Sequence, residues 1–242
     1  MLSQAAHHFA FAAILAATIC LSVTDDARAE MYDDPLLLTV ILDQMETRDA
    51  GGDNTLSWDG EGWLGKDLQK IWFKTDGERT AGDTGEAELQ FLYSKAIAGY
   101  WDIQLGVRHD FEPSPSRSWA VLGFKGLAPY FFDIDAAAFI GESGRVALRF
   151  EAEYELLLTQ RLILTPDIEI NLHGQNDPEV GIGSGLSDIE TGLRLRYEIR
   201  RQFAPYIGVN WTKLFGNTAD FANIAGRDTS EAQLVIGLRA WF

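Results

Sequence analysis

From residue 36 onward, apolar and polar side chains alternate for stretches of about ten residues, and turn-forming residues separate one stretch from the next. Trp101, Ile103, Leu105 and Val107 alternate with Asp102, Gln104, Gly106 and Arg108. Val146, Leu148, Phe150, Ala152, Tyr154 and Leu156 alternate with Ala147, Arg149, Glu151, Glu153 and Glu155. Ile189, Thr191, Leu193, Leu195 and Tyr197 do the same against Glu190, Gly192, Arg194, Arg196 and Glu198. A period of two belongs to a strand with one greasy and one polar face. About twelve such segments follow one another, starting near Leu36, Thr55, Lys70, Glu86, Trp101, Ser118, Phe131, Arg145, Leu162, Leu186, Phe203 and Glu231. Their length suits strands that cross a bilayer at a tilt.

The connections alternate too. Residues 66–69, 98–100, 128–130, 159–161 and 200–202 read as tight turns. Residues 47–54, 78–85, 112–117, 174–185 and 216–230 read as longer, more polar loops, and 141–144 is a short member of that second set. Outer-membrane barrels have short periplasmic turns and longer outer loops. The pattern therefore predicts an all-β, antiparallel transmembrane barrel of about twelve strands over residues 36–242, with both termini periplasmic.

The last strand supports closure. Ala232, Leu234, Ile236, Leu238, Ala240 and Phe242 form its apolar face; Gln233, Gly237 and Arg239 form the other, with Val235 and Trp241 as exceptions. Such a strand needs a partner, and the first strand supplies one. Aromatics gather at strand ends, as at Tyr100 and Trp101 or Trp241 and Phe242, where interfacial girdles belong. A soluble barrel of lipocalin type would turn the apolar face inward, but twelve strands enclose too wide a bore for side chains alone to fill.

Ahead of the barrel, residues 9–23 are apolar and Ala27-Arg28-Ala29 is a small-x-small cleavage pattern. Residues 1–29 are expected to be a secretory signal peptide, and 30–35 a short periplasmic segment. The expected localisation is the bacterial outer membrane. Cys20 is the one cysteine and lies in that leader, which excludes disulfides and thiolate chemistry from the mature chain. The formal charge is −16; the leader carries Asp25, Asp26 and Arg28, leaving −15. That excludes nucleic acid as a partner.

With the apolar face on lipid, the lumen receives carboxylates including Asp59, Glu61, Asp76, Glu88, Asp133, Asp135, Glu151, Asp167 and Glu169, interleaved with Lys74, Arg108, Arg149, Arg194 and Arg196. They make either a bracing network of ion pairs or a cation path. Softer metal ligands are few: His109, His173, Met31 and Met45. His173 has inward parity and His109 outward parity, while Met45 lies beside Asp43 and Gln44 near the outer end of the first strand. The run Gly181-Ile182-Gly183-Ser184-Gly185 lacks the helix and Lys of a phosphate cradle and reads as an outer loop. Ser184 or Ser187 near His173 is the one conceivable nucleophile arrangement.

Several runs resemble the copper resistance protein B family: Leu42-Asp43-Gln44-Met45-Glu46, Trp58-Asp59-Gly60-Glu61-Gly62-Trp63-Leu64-Gly65, Leu122-Gly123-Phe124-Lys125-Gly126-Leu127-Ala128-Pro129-Tyr130, Leu157-Leu158-Thr159-Gln160-Arg161-Leu162, Gly192 to Arg200 with Ala204-Pro205-Tyr206, and Gly237-Leu238-Arg239-Ala240-Trp241-Phe242. The resemblance spans nearly the whole mature chain. It implies an outer-membrane barrel that binds copper ions, as Cu(I) or Cu(II), and acts in copper tolerance beside a periplasmic multicopper oxidase of the copper resistance protein A type. Family members often carry a Met- and His-rich segment between leader and barrel; here only residues 30–35 stand there, with Met31. Any copper site is then expected in or at the mouth of the barrel, drawn from Met45, His173, His109 and carboxylates such as Asp43. Imidazole suits Cu(II) and thioether suits Cu(I).

The leading expectation is a copper-binding barrel, not an enzyme, that sequesters or passes copper. The alternatives are a small cation-preferring diffusion channel and an outer-membrane hydrolase using His173.

Overall fold

The computed structural model describes residues 34–49 and 54–242. The expected leader, and residues 30–33 of the segment after it, lie outside the described residues.

The alternating stretches are strands: β1 (Leu37–Asp49), β2 (Thr55–Lys66), β3 (Gln69–Thr80), β4 (Asp83–Ala98), β5 (Trp101–Glu112), β6 (Arg117–Ala128), β7 (Phe132–Gly141), β8 (Val146–Tyr154), β9 (Leu156–Leu157), β10 (Leu162–His173), β11 (Gly185–Tyr197), β12 (Phe203–Leu214) and β13 (Ser230–Trp241). The two-residue β9 resumes β8 beyond Glu155, and both pair with β10, so they form one stave. The described residues thus make twelve staves, each antiparallel to the next in sequence. β1 pairs with β13 from Ile41↔Trp241 to Asp49↔Leu234, and Val40 and Phe242 exchange backbone hydrogen bonds of 2.8 and 3.0 Å. The barrel is closed, so the sheet presents no unpaired edge to an apolar solvent.

The exterior is apolar. Phe73, Phe91, Leu105, Phe124, Leu148, Ile207, Leu234 and Ile236 are all exposed there. In water such a surface would drive aggregation; against lipid it is the required one. Trp58 covers Gly77 and Trp101 covers Gly126, each pair directly opposed on neighbouring strands. A Cβ on Gly126 would come within 2.8 Å of the Trp101 ring, so glycine lets the indole lie against the sheet. Trp241 Nε1 donates to the Arg201 carbonyl at 2.6 Å, anchoring one girdle ring.

The tight turns and the β1 and β13 termini share one end of the barrel, here the turn end; the longer connections occupy the other, the loop end. Two expected loops differ from the pattern. Residues 78–85 are not a long loop, because β3 and β4 run on to a two-residue turn at Ala81 and Gly82. Both residues have positive φ, 51° and 97°, a conformation that follows the twist of a hairpin. Residues 216–230 contain a helix, α1 (Gly216–Ile224), which buries Thr218 and Ala222.

A bulge in β1 has the largest effect on the lumen. Pairing with β2 slips between Leu42 and Gln44, and pairing with β13 between Leu42 and Met45. Asp43 is the extra residue. It lets Asp43 and Gln44 both border the lumen, and it inverts the parity of the rest of the strand. Glu46 and Arg48 are buried inside, and Met45 is 46% exposed outside.

Candidate cation-binding lumen

One wall of the lumen is apolar. Inward positions of β3 to β8 supply Trp72, Leu92, Val121, Phe139 and Ala147, with Trp63, Trp119 and Ala137 packed against them. The alternation alone assigned these positions to the polar face. Two of them, Trp72 and Phe139, support long cations. Lys125 Nζ lies 5.1 Å from the Trp72 ring centre, and the Arg108 and Arg149 guanidinium groups lie 4.8 and 5.9 Å from that of Phe139. A cation over a desolvated ring is held by the ring quadrupole.

Arg149 and Lys125 reach across the bore, while Arg108 closes on the neighbouring strand. Arg149 on β8 donates to both oxygens of Glu88 on β4 at 3.1 Å, while Arg108 pairs with the same carboxylate at 2.7 Å. Lys125 on β6 pairs with Glu61 on β2 at 2.8 Å, and Lys74 on β3 pairs with Asp135 on β7.

A second network lies beside the closing seam. Glu46 is fully buried and accepts from Arg194 Nε and Nη2, each at 2.9 Å, from Arg48 at 2.8 Å and from the Tyr206 hydroxyl at 2.8 Å. Arg194 also pairs with Asp167 at 2.5 Å, and Arg48 with Glu190 at 3.0 Å. The Tyr206 ring lies over Gly237, directly opposite on β13. Charges taken out of water require this degree of pairing.

Between the networks is a chamber of about 240 Å³. Eleven carboxylates line it against four cations, Lys74, Lys125, Arg149 and Arg239. The register explains why pairing is incomplete. Asp59, Asp76, Glu88 and Asp110 stand opposite one another across β2 to β5. Asp135, Glu151, Glu169 and Glu190 do so across β7, β8, β10 and β11, and Asp133, Glu153 and Asp167 form a third row. Like charges directly opposite on a sheet repel, and the cations on Glu88, Asp135, Glu169 and Asp167 offset that repulsion within each row. Among the described residues, Asp59, Asp76, Asp133, Glu151 and Glu153 form no ion pair with a cationic side chain.

The four candidate ligands are not brought together. Asp43 borders the chamber and pairs with Arg239 at 2.6 Å. Met45 faces outward because of the bulge, which the sequence pattern does not show. His109 is on the outer face, with Nδ1 2.9 Å from Ser118 Oγ and its ring edge-on to Phe111 at 4.6 Å. His173 is inward at the loop end, and its buried Nδ1 has no partner. Ser187 is bonded to Thr218 at 3.0 Å. Among the described residues no three His, Cys, Asp or Glu side chains converge tightly enough to ligate one ion. The carboxylate rows were missed because their members are far apart in sequence; the parity of each strand was visible, the pairing register was not.

The loop end is tied down by loop contacts. Asp177, in the β10–β11 connection, pairs with Arg117 at 3.1 Å and Arg145 at 2.9 Å. The same connection docks on α1 through Gly183 N–H to Thr218 Oγ1 at 2.8 Å.

Comparison with known proteins agrees with this architecture. A NanC porin structure superposes with a TM-score of 0.56 at 14% identity, covering 84% of this chain and 99% of that one, a likeness of fold. The copper resistance protein B homolog of Pseudomonas syringae pv. tomato (strain ATCC BAA-871 / DC3000) is 46% identical over 229 residues, 91% of this chain and 78% of that protein. Copper resistance protein B of Escherichia coli is 45% identical over 212 residues, 88% of this chain and 72% of that protein. The family model described as copper resistance protein B precursor (CopB) matches residues 36–242, the whole barrel. This outer-membrane barrel therefore belongs to the copper resistance protein B family.

Proposed function

We propose that the barrel contributes to copper resistance by binding copper ions inside its lumen and sequestering or passing them at the envelope, with no catalytic step of its own. Family membership supports the copper role. The single observation that carries the mode of action is the chamber lined by eleven carboxylates and four cations, an excess of negative charge inside a closed barrel. Copper is cargo in this reading. Asp43 contributes from the chamber wall, and His173 stands at the loop end as an imidazole near the entry. The turn end faces the periplasm, where a multicopper oxidase of the copper resistance protein A type exchanges copper with the barrel.

The test is equilibrium dialysis of the full chain in detergent against Cu(II), and against Cu(I) under reductant, together with copper tolerance of a deletion strain. Retained copper and a tolerance defect restored by the gene are expected. No retention with normal tolerance overturns the reading.

A further inference from the structure

We propose that two adjacent turns at the turn end, residues 159–161 and 200–202, form a binding site for the headgroup of an anionic phospholipid in the periplasmic leaflet. The site is on the rim of the barrel, apart from the lumen. It takes from the reading above only the periplasmic placement of the turn end.

The first observation is unpaired charge. Arg161, Arg200 and Arg201 are all exposed. Among the described residues none of their guanidinium groups pairs with a carboxylate. Glu198, the acidic residue beside them, has its carboxylate 4.0 Å from Arg196 instead. In a chain of formal charge −16, these turns are a local positive field. The field is confined to one side of the turn end. Lys66, in the β2–β3 turn, pairs with Asp34 at 3.5 Å and is followed by Asp67, while residues 98–100 and 129–131 carry no charge. A cationic belt serving the bilayer in general would be spread round the rim; this charge is gathered at one place.

Both turns are fixed. Thr159 Oγ1 accepts from the Arg161 and Leu162 N–H groups at 3.2 and 2.9 Å. Arg200 and Phe203 exchange backbone hydrogen bonds of 3.3 and 3.0 Å, and the Glu198 N–H donates to the Arg161 carbonyl at 2.8 Å, joining one turn to the other. Trp241 donates from its backbone to the Gln202 carbonyl at 3.2 Å and from its indole to the Arg201 carbonyl at 2.6 Å. Little backbone freedom is left to lose when a ligand binds.

The pairing register turns the site toward lipid. β11 and β12 stay in step as far as Arg196↔Tyr206, then slip by one residue to Arg200↔Phe203. The slip brings Arg200 to the same face as Phe203, which is exposed on the outside. Leu157, Leu158 and Ile199 are exposed beside it and continue the apolar exterior. That continuity selects a lipid over a soluble acidic partner. Trp241 marks the interfacial depth, so the arginines bonded near it stand at the level of the phosphates. A guanidinium fork grips a phosphate through two N–H···O bonds, and the apolar neighbours receive the upper acyl chain.

The full chain, purified in detergent, is titrated with phosphatidylglycerol, phosphatidylcholine or lipid A, and bound lipid is counted by native mass spectrometry. Phosphatidylglycerol is expected to be retained in preference to both others. The Arg161→Gln/Arg200→Gln/Arg201→Gln variant is expected to bind it more weakly by roughly fivefold for each arginine removed, while keeping the heat-modifiable folded band. Arg200→Gln alone is expected to show one such step, and Arg79→Gln, an exposed arginine at the loop end, none. Equal retention of phosphatidylcholine overturns the proposal. So does a preference for lipid A, displacement by millimolar inorganic phosphate or by a polyglutamate peptide, or undiminished binding by the triple variant. Copper retention is measured on the same samples and is expected to be unchanged in the triple variant, so failure of the lipid site and failure of the copper reading are seen separately.

Discussion

Arg149 on β8 holds Glu88 on β4 through two N–H···O bonds of 3.1 Å, although three staves lie between them. The pair spans the bore over an apolar wall, and Arg108 closes on the same carboxylate at 2.7 Å. Breaking such a pair from one side leaves a charge stranded. Arg149→Met leaves Glu88 on Arg108 alone and takes the cation from Glu169, which Arg149 holds at 3.3 Å, so a loss of about 1.5–3 kcal/mol is expected in urea unfolding of the folded barrel. Glu88→Gln in the same chain is expected to recover part of that loss. A double-mutant cycle without coupling would show that the two groups do not act together.

Asp43 offers a sharper test of geometry. Asp43→Ala removes one ion pair, and Arg239 keeps Glu155 at 2.9 Å, so the expected loss is about 1 kcal/mol or less. Deleting Asp43 is a different perturbation. Without the bulge, Glu46 and Arg48 turn outward or the first half of β1 turns inward. The deletion is expected to abolish the heat-modifiable folded band in gel electrophoresis, while the alanine variant keeps it. Normal assembly of the deletion variant would refute the assignment of the bulge.

Met45 lies outside. Met45→Leu is expected to leave copper retention of the purified barrel unchanged, since an outward thioether has no access to the lumen. A fall in bound copper would place the metal on the outer face and contradict the orientation of β1.

The Tyr206 hydroxyl donates to Glu46 at 2.8 Å inside the seam network. Tyr206→Phe keeps the ring over Gly237 and removes only that bond. A hydrogen bond to a buried charge contributes about 1.5–3 kcal/mol, and a loss of that size is expected in chemical unfolding. A change within error would mean that Arg194 and Arg48 already satisfy the carboxylate.

Much of this architecture was legible in the sequence for a simple reason. A period-two strand between lipid and a lumen writes its orientation into every residue, so Phe73 and Lys74, or Phe150 and Glu151, declare their sides. The strand starts at Thr55, Trp101, Leu162 and Phe203 coincide with the observed ones. Three things were not legible. The Asp43 bulge leaves no signature in composition, so the parity of Met45 was lost. Trp72 and Phe139 occupy polar-face positions that alternation alone assigns to charge. The rows joining Asp59 to Asp76 and Glu151 to Glu169 depend on the pairing register, which one strand does not contain. The short helix α1 was hidden for a related reason: its buried side chains, Thr218 and Ala222, are small and give a weak apolar stripe.

A tube rolled from a single layer resists stretching yet flattens readily. Lys74, Lys125 and Arg149 act as spokes, fixing opposite walls at a set separation wherever their ion pairs hold. Lateral squeezing by crowded lipid then meets a cross-section that keeps its roundness, and the interior volume stays constant as the surrounding bilayer fluctuates.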